Sequence, residues 1–171
     1  MARKELEGNS RKVAASGQGL KLLLVDEDAS DLDYYSEVLR YLGYNVRPIG
    51  SYTKAAAMLG REKYDLVIVD QGSSNFEGRS VLSRAIEVDR RVPVLVLTRT
   101  VDADCCIEAL NSGAYEYVQK PLTTTEVREL VSDYVKTPPI QFSSRAGYAV
   151  RQEYVAAEDV RVGRESLRKA S

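Results

Sequence analysis

Four apolar runs, each ending on a polar residue suited to phosphate or metal, constrain this chain more than any other feature. Leu22-Leu23-Leu24-Val25 stops at Asp26-Glu27, and Leu66-Val67-Ile68-Val69 stops at Asp70. Val94-Leu95-Val96-Leu97 stops at Thr98, and Tyr115 to Gln119 stops at Lys120-Pro121. Short continuous apolar runs predict strands buried on both faces, and helix-length segments between them predict a parallel sheet. In such a sheet ligands bind outside the carboxyl ends of the strands. Three acids, a hydroxyl and an amine then meet on one rim, a set suited to Mg²⁺-assisted phosphoryl chemistry.

The remaining pattern fills in five βα units. A strand at 21–25 precedes a helix at about 30–42, in which Leu32, Tyr35, Leu39 and Leu42 share a face and Gly43 supplies the stop. Tyr44 to Ile49 is a second strand, and 52–59 a second helix ending at Gly60. A strand at 65–69 leads through Gln71 to Glu77 into a helix at about 78–89. A strand at 93–97 precedes a helix at 102–112, and a strand at 115–119 precedes the last helix. That helix opens on Thr123-Thr124-Thr125-Glu126, a capping-box pattern, and carries Val127, Leu130, Val131 and Tyr134. Right-handed crossovers place helices on both faces of the sheet, a three-layer α/β domain. The Gly/Ser-dotted segment 1–19 and the stretch 137–171, sparse in large apolar residues after Thr137-Pro138-Pro139, are expected to be flexible.

Charge and composition remove several classes of function. The formal charge of -1 conceals a division: residues 1–20 hold four basic and two acidic side chains and residues 137–171 six and four, which leaves -5 on the middle. An acidic middle argues against a nucleic-acid surface. The chain has no histidine, which removes His-based metal sites and His-dependent triads. Cys105 and Cys106 are neighbours on a predicted helix, where adjacent side chains diverge, so reduced thiols in a cytoplasmic protein are expected. No stretch approaches the length of a membrane span, and the N-terminus lacks the apolar core of a signal peptide. The eleven tyrosines read as packing residues, with Tyr117 as the exception.

Phosphoryl transfer is mostly positioning and electrostatic stabilisation. Asp26, Glu27 and Asp70 would form an acidic pocket for a hard cation, since Mg²⁺ takes one or two carboxylates and keeps several waters. Lys120 would offer an ammonium and Thr98 a hydroxyl to a phosphoryl oxygen. A cis Lys120-Pro121 bond would aim Lys120 back across the strand ends. Taken singly, each acid reads as a solvated loop residue or helix cap, and Thr98 as a cap for the next helix. Their joint placement, one at each of the relevant strand ends, favours the site.

Residues 20–136 resemble a receiver domain of bacterial two-component response regulators. The matching pieces are Leu22-Leu-Leu-Val-Asp-Glu-Asp28, Tyr64-Asp-Leu-Val-Ile-Val-Asp70, Pro93-Val-Leu-Val-Leu-Thr98 and Gly113-Ala-Tyr-Glu-Tyr-Val-Gln-Lys-Pro121. The resemblance implies a doubly wound, flavodoxin-like five-stranded sheet in the order 2-1-3-4-5. It implies that Asp70 accepts a phosphoryl group from a sensor histidine kinase or a histidine phosphotransfer protein. Glu27, Asp70 and the Gly72 carbonyl would bind Mg²⁺ directly, and Asp26 through a water. Thr98 and Lys120 would contact the phosphoryl group, and Tyr117 would swing inward with Thr98. The face made by the fourth helix, fifth strand and fifth helix would then change its contacts with a downstream protein. A phosphorylation-linked homodimer stays open.

Several positions depart from that pattern. Ser73-Ser74 replace the usual Met-Pro pair, and Glu27 replaces the commoner Asp. Arg99 stands where a small residue is usual, and it could obstruct the site, pair with the phosphoryl group or pair with the acids. By the same resemblance, Thr100 and Gly72 would stand where the family tunes phosphoryl lifetime. Neither a helix-turn-helix nor a catalytic domain is expected, so enzymatic work would be limited to self-phosphorylation and self-dephosphorylation of Asp70. The alternative is a degenerate receiver acting as a phosphorylation-independent interaction module. A phosphatase would show a second acid two residues after the nucleophile, where Gly72 stands. A flavin phosphate would be repelled by Asp26-Glu27-Asp28.

Overall fold

The computed structural model describes residues 19–135. The expected tail at 137–171, and the N-terminal segment 1–19 apart from Gly19, lie outside the described residues. Ten elements alternate along the chain: β1 (Lys21–Val25), α1 (Ala29–Tyr41), β2 (Asn45–Ile49), α2 (Tyr52–Leu59) and β3 (Leu66–Asp70) form the first half. The second half is α3 (Arg79–Val88), β4 (Val94–Thr98), α4 (Ala103–Asn111), β5 (Glu116–Gln119) and α5 (Thr124–Val135). The strands form one parallel sheet in the order β2-β1-β3-β4-β5, the order expected of a flavodoxin-like fold.

Strand side chains alternate between the two faces of the sheet, and the apolar runs therefore feed two cores. Leu23, Val25, Val67, Val69, Val94 and Val96 pack with Tyr52, Ala55 and Leu59 of α2, Val81, Leu82 and Ala85 of α3, and Cys105 and Ala109 of α4. Leu22, Leu24, Leu66, Ile68, Leu95 and Leu97 pack on the opposite face with Tyr35, Val38 and Leu39 of α1 and Val127 and Val131 of α5. Every apolar residue of β3 and β4 is buried, which is why these strands read as unbroken rather than alternating runs. Each such side chain contributes about 1.5–3 kcal/mol by leaving water. Pro48 sits in β2, an edge strand, where a missing amide donor is tolerated.

Local chemistry sets the helix ends. Asp28 caps α1 by accepting from the amides of Ser30 and Asp31, and Gly43 closes it at φ +94° with Tyr44 N donating to the Leu39 carbonyl. The Thr123–Glu126 capping box forms as expected: Thr123 N donates to Glu126 Oε2 at 2.7 Å, and Glu126 N to Thr123 Oγ1 at 3.3 Å. Asp102, not Thr98, caps α4 by accepting from Cys105 N at 2.9 Å. Asp70 and Thr98 are the last residues of β3 and β4 rather than the first loop residues. Both are held in the ladder, Asp70 opposite Leu97 and Thr98 opposite Gln119.

Candidate functional site

The sheet register brings the rim residues together. Val25 lies opposite Val69, so Asp26 and Asp70 emerge side by side from the two central strands. Gln119 lies opposite Thr98, so Lys120 leaves β5 one step beyond Thr98. The Lys120-Pro121 peptide is cis. Lys120 crosses above β4 and ends among carboxylates: its Nζ lies 2.6 Å from Asp70 Oδ1, 2.9 Å from Asp26 Oδ2 and 2.7 Å from Asp31 Oδ2.

This cluster is largely shut off from water. The Lys120 and Asp26 side chains are each 4 % exposed. Burial by itself would lower the lysine's proton affinity, but hydrogen bonds from Asp31, Asp70 and Asp26 outweigh it and hold the ammonium charged, above the ordinary lysine range. Asp26 moves the other way. Its burial raises its pKa, the nearby Asp70 charge adds to the rise, and the Lys120 contact offsets only part of it. A carboxylate whose charge is under-compensated in this way favours a cation nearby.

Three further residues join the site that sequence patterns did not single out. Tyr52, the first residue of α2, donates its hydroxyl to Asp70 Oδ2 at 3.3 Å, on the same oxygen that accepts Gly72 N at 2.7 Å. Burial, then the charges of Asp70, Glu27 and Asp26, push its pKa far above the tyrosine range, so it is a neutral donor facing all three acids. Gln71 is buried beside Asp70 and links the loop after β3 to β5: its Oε1 accepts from the Tyr117 hydroxyl, and its Nε2 donates to the Ser73 carbonyl at 3.0 Å. Asp31 is the third, on the first turn of α1. A faint signal existed for it, an acid at the N-terminus of a helix that follows the Asp26-Glu27 strand end. Nothing in the pattern marks Tyr52 or Gln71.

The remaining expected residues take definite positions. Glu27 is exposed at the mouth of the site, and Gly72 adopts φ +85°, a left-handed conformation that favours glycine. Thr98 Oγ1 donates to the Thr100 carbonyl at 2.7 Å, turned into the connection between β4 and α4. Tyr117 is half-buried, and its hydroxyl accepts from Asp102 N at 3.4 Å while donating to Gln71. Arg99 pairs with acids at the start of α1: its Nη2 meets Asp28 Oδ2 at 2.9 Å and Asp31 Oδ2 at 3.0 Å. Among the described residues no three acidic or cysteine side chains converge as a ready-made metal cage. The donors at the rim are nonetheless all oxygens of hard carboxylates, and two carboxylates with waters suffice for Mg²⁺.

Comparison with known proteins agrees with this geometry. The family described as response regulator receiver domain matches residues 22–132. The chain belongs to that family. Over 113 residues it is 32% identical to the probable transcriptional regulatory protein TcrX of Mycobacterium tuberculosis, covering 66% of this chain and 48% of that one. This chain spans about half the length, or less, of such curated relatives. Among solved structures, a CheY-like response regulator receiver domain protein from Methanospirillum hungatei superposes with a TM-score of 0.65 at 23% identity, covering 71% of this chain and 95% of that one. The receiver domain of the sensor histidine kinase PA1611 from Pseudomonas aeruginosa, solved with a magnesium ion in its active-site cleft, gives a TM-score of 0.62 at 25% identity, covering 70% and 99%. The fold and the place of the chain in two-component signalling follow from these matches together with the sheet order.

Proposed function

We propose that this receiver, spanning residues 20–136, accepts a phosphoryl group on Asp70 and thereby switches its contacts with other proteins. The observation that carries this reading is Lys120 Nζ at 2.6 Å from Asp70 Oδ1, with Asp26 on its other side. Lys120 thus marks one Asp70 oxygen, while Gly72 N and Tyr52 hold the other. In the transfer, a phosphorus–nitrogen bond of a partner histidine breaks as a phosphorus–oxygen bond forms to Asp70. Lys120 then shifts part of its charge from the carboxylates to the incoming phosphoryl oxygens, and the Thr98 hydroxyl turns from the Thr100 carbonyl toward them. Release of Thr98 frees space for Tyr117 to move deeper.

Asp26, Glu27, Asp70 and the Gly72 carbonyl would hold Mg²⁺ in this site, where it would offset the negative charge that gathers as the phosphoryl group arrives. The partners on this reading are a sensor histidine kinase or a histidine phosphotransfer protein on the input side and a protein target on the output side, in the cytoplasm. Its chemistry on this reading is gain and loss of the Asp70 phosphoryl group. Arg99 is drawn to α1 and not across Asp70, which favours the switching receiver over the degenerate one.

Intact-protein mass after incubation with acetyl phosphate and Mg²⁺ tests the reading. One added phosphoryl group on wild type, absent from Asp70→Asn and absent without Mg²⁺, is expected. An unchanged wild-type mass would overturn it.

A further inference from the structure

The pairing of Arg99 with Asp31 is not required by acyl-phosphate chemistry, yet it is built directly onto the lysine that chemistry uses. Asp31 Oδ2 accepts Lys120 Nζ at 2.7 Å and Arg99 Nε at 3.0 Å, and Arg99 Nη2 lies 3.0 Å away. One carboxylate oxygen thus joins a cation from the end of β4 and a cation from the end of β5 to the first turn of α1. Arg99 reaches a second acid there, with Nη2 at 2.9 Å from Asp28 Oδ2.

The charges around Lys120 give this pairing its consequence. Its ammonium faces three carboxylates: Asp26, Asp31 and Asp70. Phosphorylation would add roughly another unit of negative charge at Asp70. An unneutralised Asp31 would then repel the phosphoryl group and compete with it for Lys120. Arg99 removes this conflict by pairing with Asp31 from the solvent side: its own side chain is 58 % exposed and that of Asp31 22 %. Such a pair contributes little to stability, so its effect falls on the site instead.

We infer that Arg99 is a positioning residue that neutralises Asp31, so that Lys120 can be given over to a phosphoryl group on Asp70. The inference rests on the phosphoacceptor reading of Asp70 and adds to it a clasp between α1 and the end of β4. It differs from two simpler roles for Arg99. An obstructing Arg99 would slow phosphorylation by its bulk, and its removal would help. A phosphoryl-binding Arg99 would speed phosphorylation by itself, whatever stands at position 31.

The test is a rescue experiment on the full chain. Acyl-phosphate formation from acetyl phosphate and Mg²⁺, in which the donor's phosphorus–oxygen bond breaks to release acetate as that to Asp70 forms, is followed by intact mass. Wild type, Arg99→Ala, Arg99→Lys, Asp31→Asn, the Arg99→Ala/Asp31→Asn double variant and Asp70→Asn are compared, with thermal melts confirming that each is folded. Arg99→Ala is expected to form the adduct about tenfold more slowly, the effect of one uncompensated charge at short range. Arg99→Lys should keep most of the wild-type rate, and Asp31→Asn should exceed it. The double variant should recover about tenfold over Arg99→Ala, and that recovery should shrink at high salt. An Arg99→Ala rate equal to or above wild type would overturn the inference, as would a loss that Asp31→Asn does not rescue. A wild type that takes up no phosphoryl group would instead sink the Asp70 reading, and this inference with it.

Discussion

Asp70 has its two oxygens held by different chemistry, and single substitutions should separate them. Oδ1 faces the Lys120 ammonium, whereas Oδ2 accepts from the Gly72 amide and the Tyr52 hydroxyl. Tyr52→Phe removes one neutral donor at 3.3 Å and leaves the buried ring in place. It should lower stability in Mg²⁺-free buffer by about 1 kcal/mol in urea unfolding. It should also alter Mg²⁺ affinity, since the lost donor sits on a carboxylate expected to bind the ion. Lys120→Ala is more severe, because Asp26 and Asp70 are left buried and half-buried without their cation. The loss expected from urea unfolding without Mg²⁺ is about 3 kcal/mol. A loss under about 1 kcal/mol would mean that the carboxylates find other compensation.

At the scale of elements, the site gathers strand ends, helix starts and loops, and Gln71 is the side chain that ties the loop between β3 and α3 to β5. It bridges Tyr117 on β5 to the Ser73 carbonyl in the loop between β3 and α3. Gln71→Leu removes the acceptor of the Tyr117 hydroxyl, which keeps the 3.4 Å contact with the Asp102 amide, and leaves the Ser73 carbonyl without this donor. A stability loss of about 1–2 kcal/mol is expected, with a shift of the Tyr117 ring resonances in NMR spectra. Unmoved Tyr117 signals would show that the link carries no structural information. Gln71 also shows where sequence reading stops. The strands were legible because two-sided burial leaves an unbroken apolar run, as in Val67-Ile68-Val69. Their ends fell one residue off where a rim residue such as Asp70 or Thr98 stays in the ladder. Asp26, Asp70, Thr98 and Lys120 were legible as site candidates because each follows its own apolar run. Gln71, Tyr52 and Asp31 were not, since their partners lie 46, 18 and 89 residues away and no local pattern records that meeting.

For the molecule as a whole, composition and ion pairing together set the pH response. With no histidine, no side chain of ordinary pKa titrates between about pH 7 and 8. Burial raises both cysteines further from that window. The raised pKa of Lys120 adds stability that is present below the ordinary lysine value of 10.5 and is lost as pH rises through the folded-state value. Asp31 is lowered: burial would raise it, but Arg99 and Lys120 outweigh burial. Its contribution is present above 3.8 and is lost as pH falls through the depressed value. Asp26 opposes this, because its raised pKa means that its charge costs stability until acid relieves it. Urea unfolding without Mg²⁺ should therefore be flat near neutrality and weaken toward both extremes. A step between about pH 7 and 8 would contradict this ion-pair account.

If Asp70 is the phosphoacceptor, chemical trapping locates the phosphoryl group there at residue resolution. After incubation with acetyl phosphate and Mg²⁺, borohydride reduces an aspartyl phosphate to homoserine, which peptide mass spectrometry then locates. Homoserine at position 70, absent from protein that never met the donor, is the predicted result. Homoserine at position 26 or 31, or at no position in a folded and Mg²⁺-bound protein, would contradict the account.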